Sequence, residues 1–137
     1  MHTFVLQDWV TITGDNTAGG GVTIVNQSAA EYLDLEGYQD VTFFWQVSSA
    51  SGGTVDLQFQ TAPEKYDANF TDLTSFSYTN GNKIVQALPA NIGNTVNPGK
   101  AVTPLARWVR WQVQHTAGGA VVWSITFRVF VCGVTYQ

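Results

Sequence analysis

The chain has 137 residues, 45% hydrophobic and 13% aromatic but only 12% charged, with six Lys plus Arg against ten Asp plus Glu and a net charge of −4. That charged share is about half the usual ~25%, which excludes an acidic disordered tail. The lysines are scattered at Lys65, Lys83 and Lys100, so the clustered cations of a phosphate-tracking surface are missing and nucleic acid is not an expected partner. No apolar run approaches the ~18–20 residues of a membrane-spanning helix, and no membrane association is expected.

The length suits a single domain over residues 1–137, burying roughly two-thirds of its unfolded surface. Residues 1–8 carry neither a basic n-region nor a long apolar h-region, which predicts synthesis in a cytoplasm without a cleaved signal. Cys132 is the sole cysteine, so no intrachain disulfide can form, and a buried thiol is expected there.

In chain order, the first predicted strand covers residues 4–13, includes Trp9 and Ile12, and ends at Gly14-Asp15-Asn16 before the glycine run 19–21. Residues 22–25 form a short second candidate, and residues 29–34 read either as a strand or as one helical turn. Beyond Gly37, Val41, Phe43, Trp45 and Val47 share one parity, the period of a half-buried strand. Across the turn at 48–53, Val55, Leu57 and Phe59 alternate with Asp56, Gln58 and Gln60, and these two strands are expected to pair as a hairpin.

From residue 61 to 104 the pattern weakens into long connections, with Pro63, Pro89, Pro98 and Pro104 breaking ladders. Strands are expected at 75–78 and 83–87, joined across a turn at 79–82. Residues 107–115 and 121–131, linked by the glycine turn at 116–119, read as a closing hairpin. Its second arm places Val121, Trp123, Ile125, Phe127, Val129 and Val131 on one side. No segment has a helical period. About eight mostly antiparallel strands with long central connections predict an all-β, jelly-roll-like sandwich, with an immunoglobulin-type sandwich as the alternative.

Chemistry-bearing residues are sparse. His2 and His115 have no Cys or carboxylate at ligand spacing, so no metal site is expected, and His115 is placed at the mouth of the closing hairpin. Asp34, Glu36 and Asp40 flank Gly37, while Asp67 and Asp72 lie in or beside the 66–73 loop. Neither group has the spacing of a calcium loop, and both read as solvated turn carboxylates. No carboxyl pair, nucleophile elbow or phosphate-binding loop can be nominated, so neither catalysis nor a cofactor is expected. Asn26-Gln27-Ser28 and Asn69-Phe70-Thr71 match the glycosylation acceptor pattern and read as chance matches.

The tryptophans divide by parity. Trp45, Trp111 and Trp123 align with apolar neighbours and belong to the core, whereas Trp108 lies on the side of Arg110, Gln112 and Gln114. Phe44 in the third clear strand, and Val122, Arg128, Phe130 and Cys132 in the last, also oppose the core. A free sandwich face would carry Lys, Glu and Thr. These residues predict one shared interface patch, and an exposed Trp beside Arg also suits stacking on a sugar.

The segment Leu35-Glu-Gly-Tyr-Gln-Asp-Val41, the strand end Phe59-Gln-Thr-Ala-Pro63, the loop Asp67-Ala-Asn-Phe70, Pro104-Leu-Ala-Arg-Trp-Val-Arg-Trp111 and Trp123-Ser-Ile-Thr-Phe-Arg128 together resemble small jelly-roll proteins of tailed-phage virions. The resemblance spans roughly residues 30–131 and includes no active-site motif. It implies a structural protein of the capsid decoration or cement type. Such a protein would be made in the host cytoplasm, assemble as a homo-oligomer such as a trimer, and bind the major capsid protein. The Arg-Trp-Val-Arg-Trp strand is also similar to the closing strands of galactose-binding-like and discoidin-like sandwiches, which implies a carbohydrate-binding module as the alternative. Phe44, Tyr66, Phe70, Trp108, Arg110, Val122 and Phe130 are the expected interface or glycan-binding residues.

Overall fold

The computed structural model describes residues 2–15, 22–38, 40–79, 83–90, 105–116 and 122–134. The glycine run 19–21, the turn residues 80–82 and 117–119, and Pro98, Lys100 and Pro104 lie outside the described residues.

The described strands are β1 (His2–Asp15), β2 (Val22–Asn26), β3 (Leu33–Asp34), β4 (Asp40–Ser51), β5 (Thr54–Ala62), β6 (Thr71–Thr79), β7 (Lys83–Ala90), β8 (Trp108–Thr116) and β9 (Val122–Val134). Residues 29–34 satisfy both readings of the sequence, because a 3-10 turn at Ala29–Glu31 precedes the short β3. One sheet has the order β1-β9-β4-β7; the other runs β2-β8-β5-β6, with β3 also on β8. Every ladder among the described residues is antiparallel. With β2 and β3 counted as one interrupted strand, this is the eight-strand jelly-roll order, in agreement with the expected fold class.

The expected hairpins do not form. The chain crosses from one sheet to the other between β4 and β5, between β6 and β7, and between β8 and β9. Alternation reports which side of a strand is buried but not which strand lies beside it. Of the strands consecutive in sequence, β5 and β6 pair. Pro89, expected to break a ladder, sits within β7 at a sheet edge, where a residue without an N–H is tolerated.

Ring pairs among the described residues join the sheets. Phe43 stacks on Phe59 with centroids 4.0 Å apart, Trp111 meets Phe127 edge-on at 5.3 Å, and His115 stacks on Trp123 at 4.7 Å. Trp45, Trp111 and Trp123 are all buried, as expected. His115 is not at a hairpin mouth. It shares the inward parity of Val109, Trp111 and Val113, is fully buried, and donates from Nε2 to the Gly52 carbonyl at 2.7 Å. Gly52 has φ +88°, and a Cβ there would lie 2.6 Å from the Val122 carbonyl oxygen, so this crossing requires glycine.

A buried glutamine seals one end of the core. Gln27 donates from Nε2 to the Leu6 carbonyl at 2.8 Å and to the Glu31 carbonyl at 3.1 Å, and its Oε1 accepts from the Trp111 N–H at 3.2 Å. Backbone groups at the β1 register shift, in the 3-10 turn and in β8 are thereby satisfied. Cys132 is half-buried rather than buried, on the outer side of β9 beside the Thr3 hydroxyl.

Candidate functional site

The outward parity of β1, β9 and β4 builds one flat face. Register aligns Thr3, Cys132 and Thr42 in one row and Val5, Phe130 and Phe44 in the next. Further along β9, Thr126 lies between Thr11 and Ser49, Ser124 between Thr13 and Ser51, and Val122 beside Asp15. The hydroxyls hydrogen-bond one another, Thr11 to Thr126 at 2.7 Å and Ser51 to Ser124 at 3.1 Å. Val5, Trp9, Phe44 and Val122 are exposed, Trp9 by 46% and Val122 by 64%. Asp15 closes the Val122 row on the edge strand β1, which also carries Asp8, and the charged side chain of the central strand β9 is Arg128. Its guanidinium lies 4.8 Å from the Trp9 ring centre and 4.9 Å from that of Phe130, and its Nε donates to Gln46 Oε1. The charge thus lies beside two aromatic rings and is hydrogen-bonded to Gln46.

The outer face of the second sheet differs. The loop between β5 and β6 folds back to set Asp67 and Phe70 against Arg110, and Gln60, Arg110 and Gln112 are buried. Arg110, its side chain only 4% exposed, donates from Nη1 to Asp67 Oδ1 at 2.8 Å and to the Tyr32 hydroxyl at 3.0 Å. Its Nε donates to Gln60 Oε1 at 2.9 Å, and the guanidinium lies 4.0 Å from the Phe70 ring centre. Gln60 in turn donates to Asp72 at 2.8 Å, and Gln112 donates to Asn26 at 2.7 Å. Each buried polar group here has partners, as burial demands.

At the edge of this network, Ala29, Tyr32, Lys65, Tyr66, Asp67 and Ala68 line a cleft of about 430 Å³. Beside it, Lys65 Nζ sits 4.3 Å from the Trp108 ring centre, and the Arg107 guanidinium sits 5.0 Å from it. Arg107 also grips Asp34 through two bonds of 3.1 and 3.0 Å, with Glu36 at 3.4 Å. The hydrogen bonds from Arg107, and then from the Glu36 N–H, hold the Asp34 carboxyl below its ordinary pKa. The same Asp34 bond raises that of Arg107.

The residues expected to share one patch therefore occupy two faces. Tyr66, Phe70, Trp108 and Arg110 gather at one end of the second sheet, whereas Phe44, Val122 and Phe130 lie on the first. Val122 stands eight positions along β9 from Phe130, about 26 Å at ~3.3 Å per residue. Arg110 is not a surface group, because the β5–β6 loop covers it. Val5, Trp9, Tyr32, Lys65 and Asp67 complete the two clusters and were not singled out together by the pattern. In β1 the reason is physical: register shifts between Val5 and Gln7 and between Gln7 and Val10 reset the parity on which the reading depends.

No family model matches the chain, and no curated protein matches it. Among solved structures it is similar to a chain of infectious bursal disease virus, Gt strain, with a TM-score of 0.43 and 10% identity over 95% of this chain. It is also similar to the VP2 subviral particle of the same virus, with a TM-score of 0.42 and 11% identity over 98% of this chain. The chain spans 31% and 32% of those chains' length.

Proposed function

We propose that this protein is a non-enzymatic structural component of a virion, a decoration or cement protein of the tailed-phage type formed as one sandwich domain over residues 1–137. On this reading it is made in the host cytoplasm, self-associates as a homo-oligomer such as a trimer, and clamps coat subunits. The observation that carries the reading is the outer face of β1, β9 and β4, where Val5, Phe130 and Phe44 form one row and the Arg128 guanidinium lies beside Trp9 and Phe130. Aromatic residues and Arg are the side chains that dominate binding energy at protein interfaces. The neighbouring rows are Ser and Thr. A face with exposed apolar groups and few charges is complemented by another β surface of the same kind, first of all a second copy of itself, packed about 10 Å away.

His115 is spent on the core stack with Trp123, and no group of three or more His, Cys, Asp or Glu able to hold a metal occurs among the described residues. Light scattering across a dilution series tests the proposal, together with co-sedimentation on coat particles. The expected result is a mass that is a multiple of 14.9 kDa and retention on the particle. A monomer at every concentration with no particle binding contradicts it.

A further inference from the structure

The cleft beside the β5–β6 loop has no part in the docking face, which lies on the opposite sheet. The geometry points to a binding site there for an uncharged saccharide. A volume of about 430 Å³ falls within the usual ~300–1,000 Å³ of small-molecule sites.

Its lining divides the work of sugar recognition. Tyr66 is 64% exposed, and its ring has no partner among the described residues. It is an aromatic face free to lie against the C–H side of a pyranose. Ala29 and Ala68 leave room for a ring to approach. Asp67 supplies the polar recognition. Arg110 and Tyr32 both engage its Oδ1, leaving Oδ2 without a partner among the described residues. A carboxylate oxygen fixed in this way is a strong acceptor for sugar hydroxyls. The Asp67 side chain is 81% exposed, but the guanidinium that holds its Oδ1 is buried with Phe70 against it, so less ordering has to accompany binding.

Charge selects the class of sugar. Lys65 also lines the cleft, but its ammonium is drawn to 4.3 Å from the Trp108 ring centre, whereas Asp67 Oδ2 keeps no partner among the described residues. Sialylated or sulfated glycans would meet that carboxylate, so the site favours uncharged ones. Trp108, expected from sequence to stack on sugar, is not the platform, because two cations already lie against its ring.

The test is retention of the full chain on an array of uncharged oligosaccharides, with sialylated and sulfated ones as a second arm. The wild type is expected to be retained on members of the uncharged arm. Tyr66→Ala should lower that retention at least tenfold with an unchanged melting midpoint. Asp67→Asn keeps an oxygen for Arg110, replaces the free acceptor with an amide donor, and should also weaken retention. Phe44→Lys should leave retention unaltered, which separates this site from the docking face. No retention in the uncharged arm, retention confined to the anionic arm, or undiminished retention by Tyr66→Ala overturns the inference.

Discussion

The two outer faces of the sandwich are built from the same strand parity and end in opposite states. On the β2-β8-β5-β6 sheet the chain covers its own polar surface, and Arg110 is surrounded by Asp67, Tyr32, Gln60 and Phe70. On the β1-β9-β4-β7 sheet no described loop covers the corresponding region, so Arg128 lies between Trp9 and Phe130 on a face that retains exposed Val5 and Phe44. A covered face completes its own hydrogen bonds and contributes to folding stability. An uncovered apolar face contributes most when something docks on it.

The matched arginines give the sharpest way to break this comparison. Arg110→Ala should cost about 2–3 kcal/mol of folding stability, the scale of hydrogen bonds to a charged group together with lost packing. Denaturant unfolding checks it, and a loss below ~1 kcal/mol would mean that the network adds little. Next in size, Phe44→Lys should weaken self-association at least tenfold, or ~1.4 kcal/mol. Its own folding stability should move by about 1 kcal/mol or less, because the side chain is only partly covered within the chain. Concentration-dependent sedimentation reads the first effect and thermal melting the second.

Arg128→Ala should lower monomer stability by under ~1 kcal/mol, the scale of an exposed cation–π contact, while still impairing association. The smallest effect belongs to the exposed Asp34–Arg107 pair. Asp34 has a depressed pKa in the folded state, so on acidification the unfolded chain takes up its proton first. The pair's contribution is complete above the ordinary value of 3.8 and is lost as the pH falls through the lower folded value. Melting curves from pH 6 to pH 2 should fall less steeply for Asp34→Asn, and added salt should narrow the difference.

The core was legible because its signal is local. The period of two along β4, β5, β8 and β9 marks Phe43, Phe59, Trp111 and Trp123 as inward whichever strands lie beside them. Strand partners were not legible: turn residues between β4 and β5 look the same whether the chain folds back in one sheet or crosses to the other. For the same reason Phe44 and Trp108 shared a parity in sequence yet lie on opposite sides of the molecule. The burial of Arg110 depends on the 63–70 loop closing over it, a contact between distant residues that no periodicity encodes. The clustering of Tyr66, Phe70 and Trp108 was foreseen only as a set of aromatic residues, and the free Asp67 oxygen beside Tyr66 was not foreseen.

Hydroxyl-radical footprinting of the protein, dilute and assembled, tests the central claim most directly because both faces report in one experiment. Assembly should protect Trp9, Phe44 and Phe130 while leaving Tyr66 as reactive as in the dilute protein. Protection of Tyr66 with unchanged labelling of Trp9, Phe44 and Phe130 would contradict the assignment of the β1-β9-β4-β7 face as the surface through which the protein assembles.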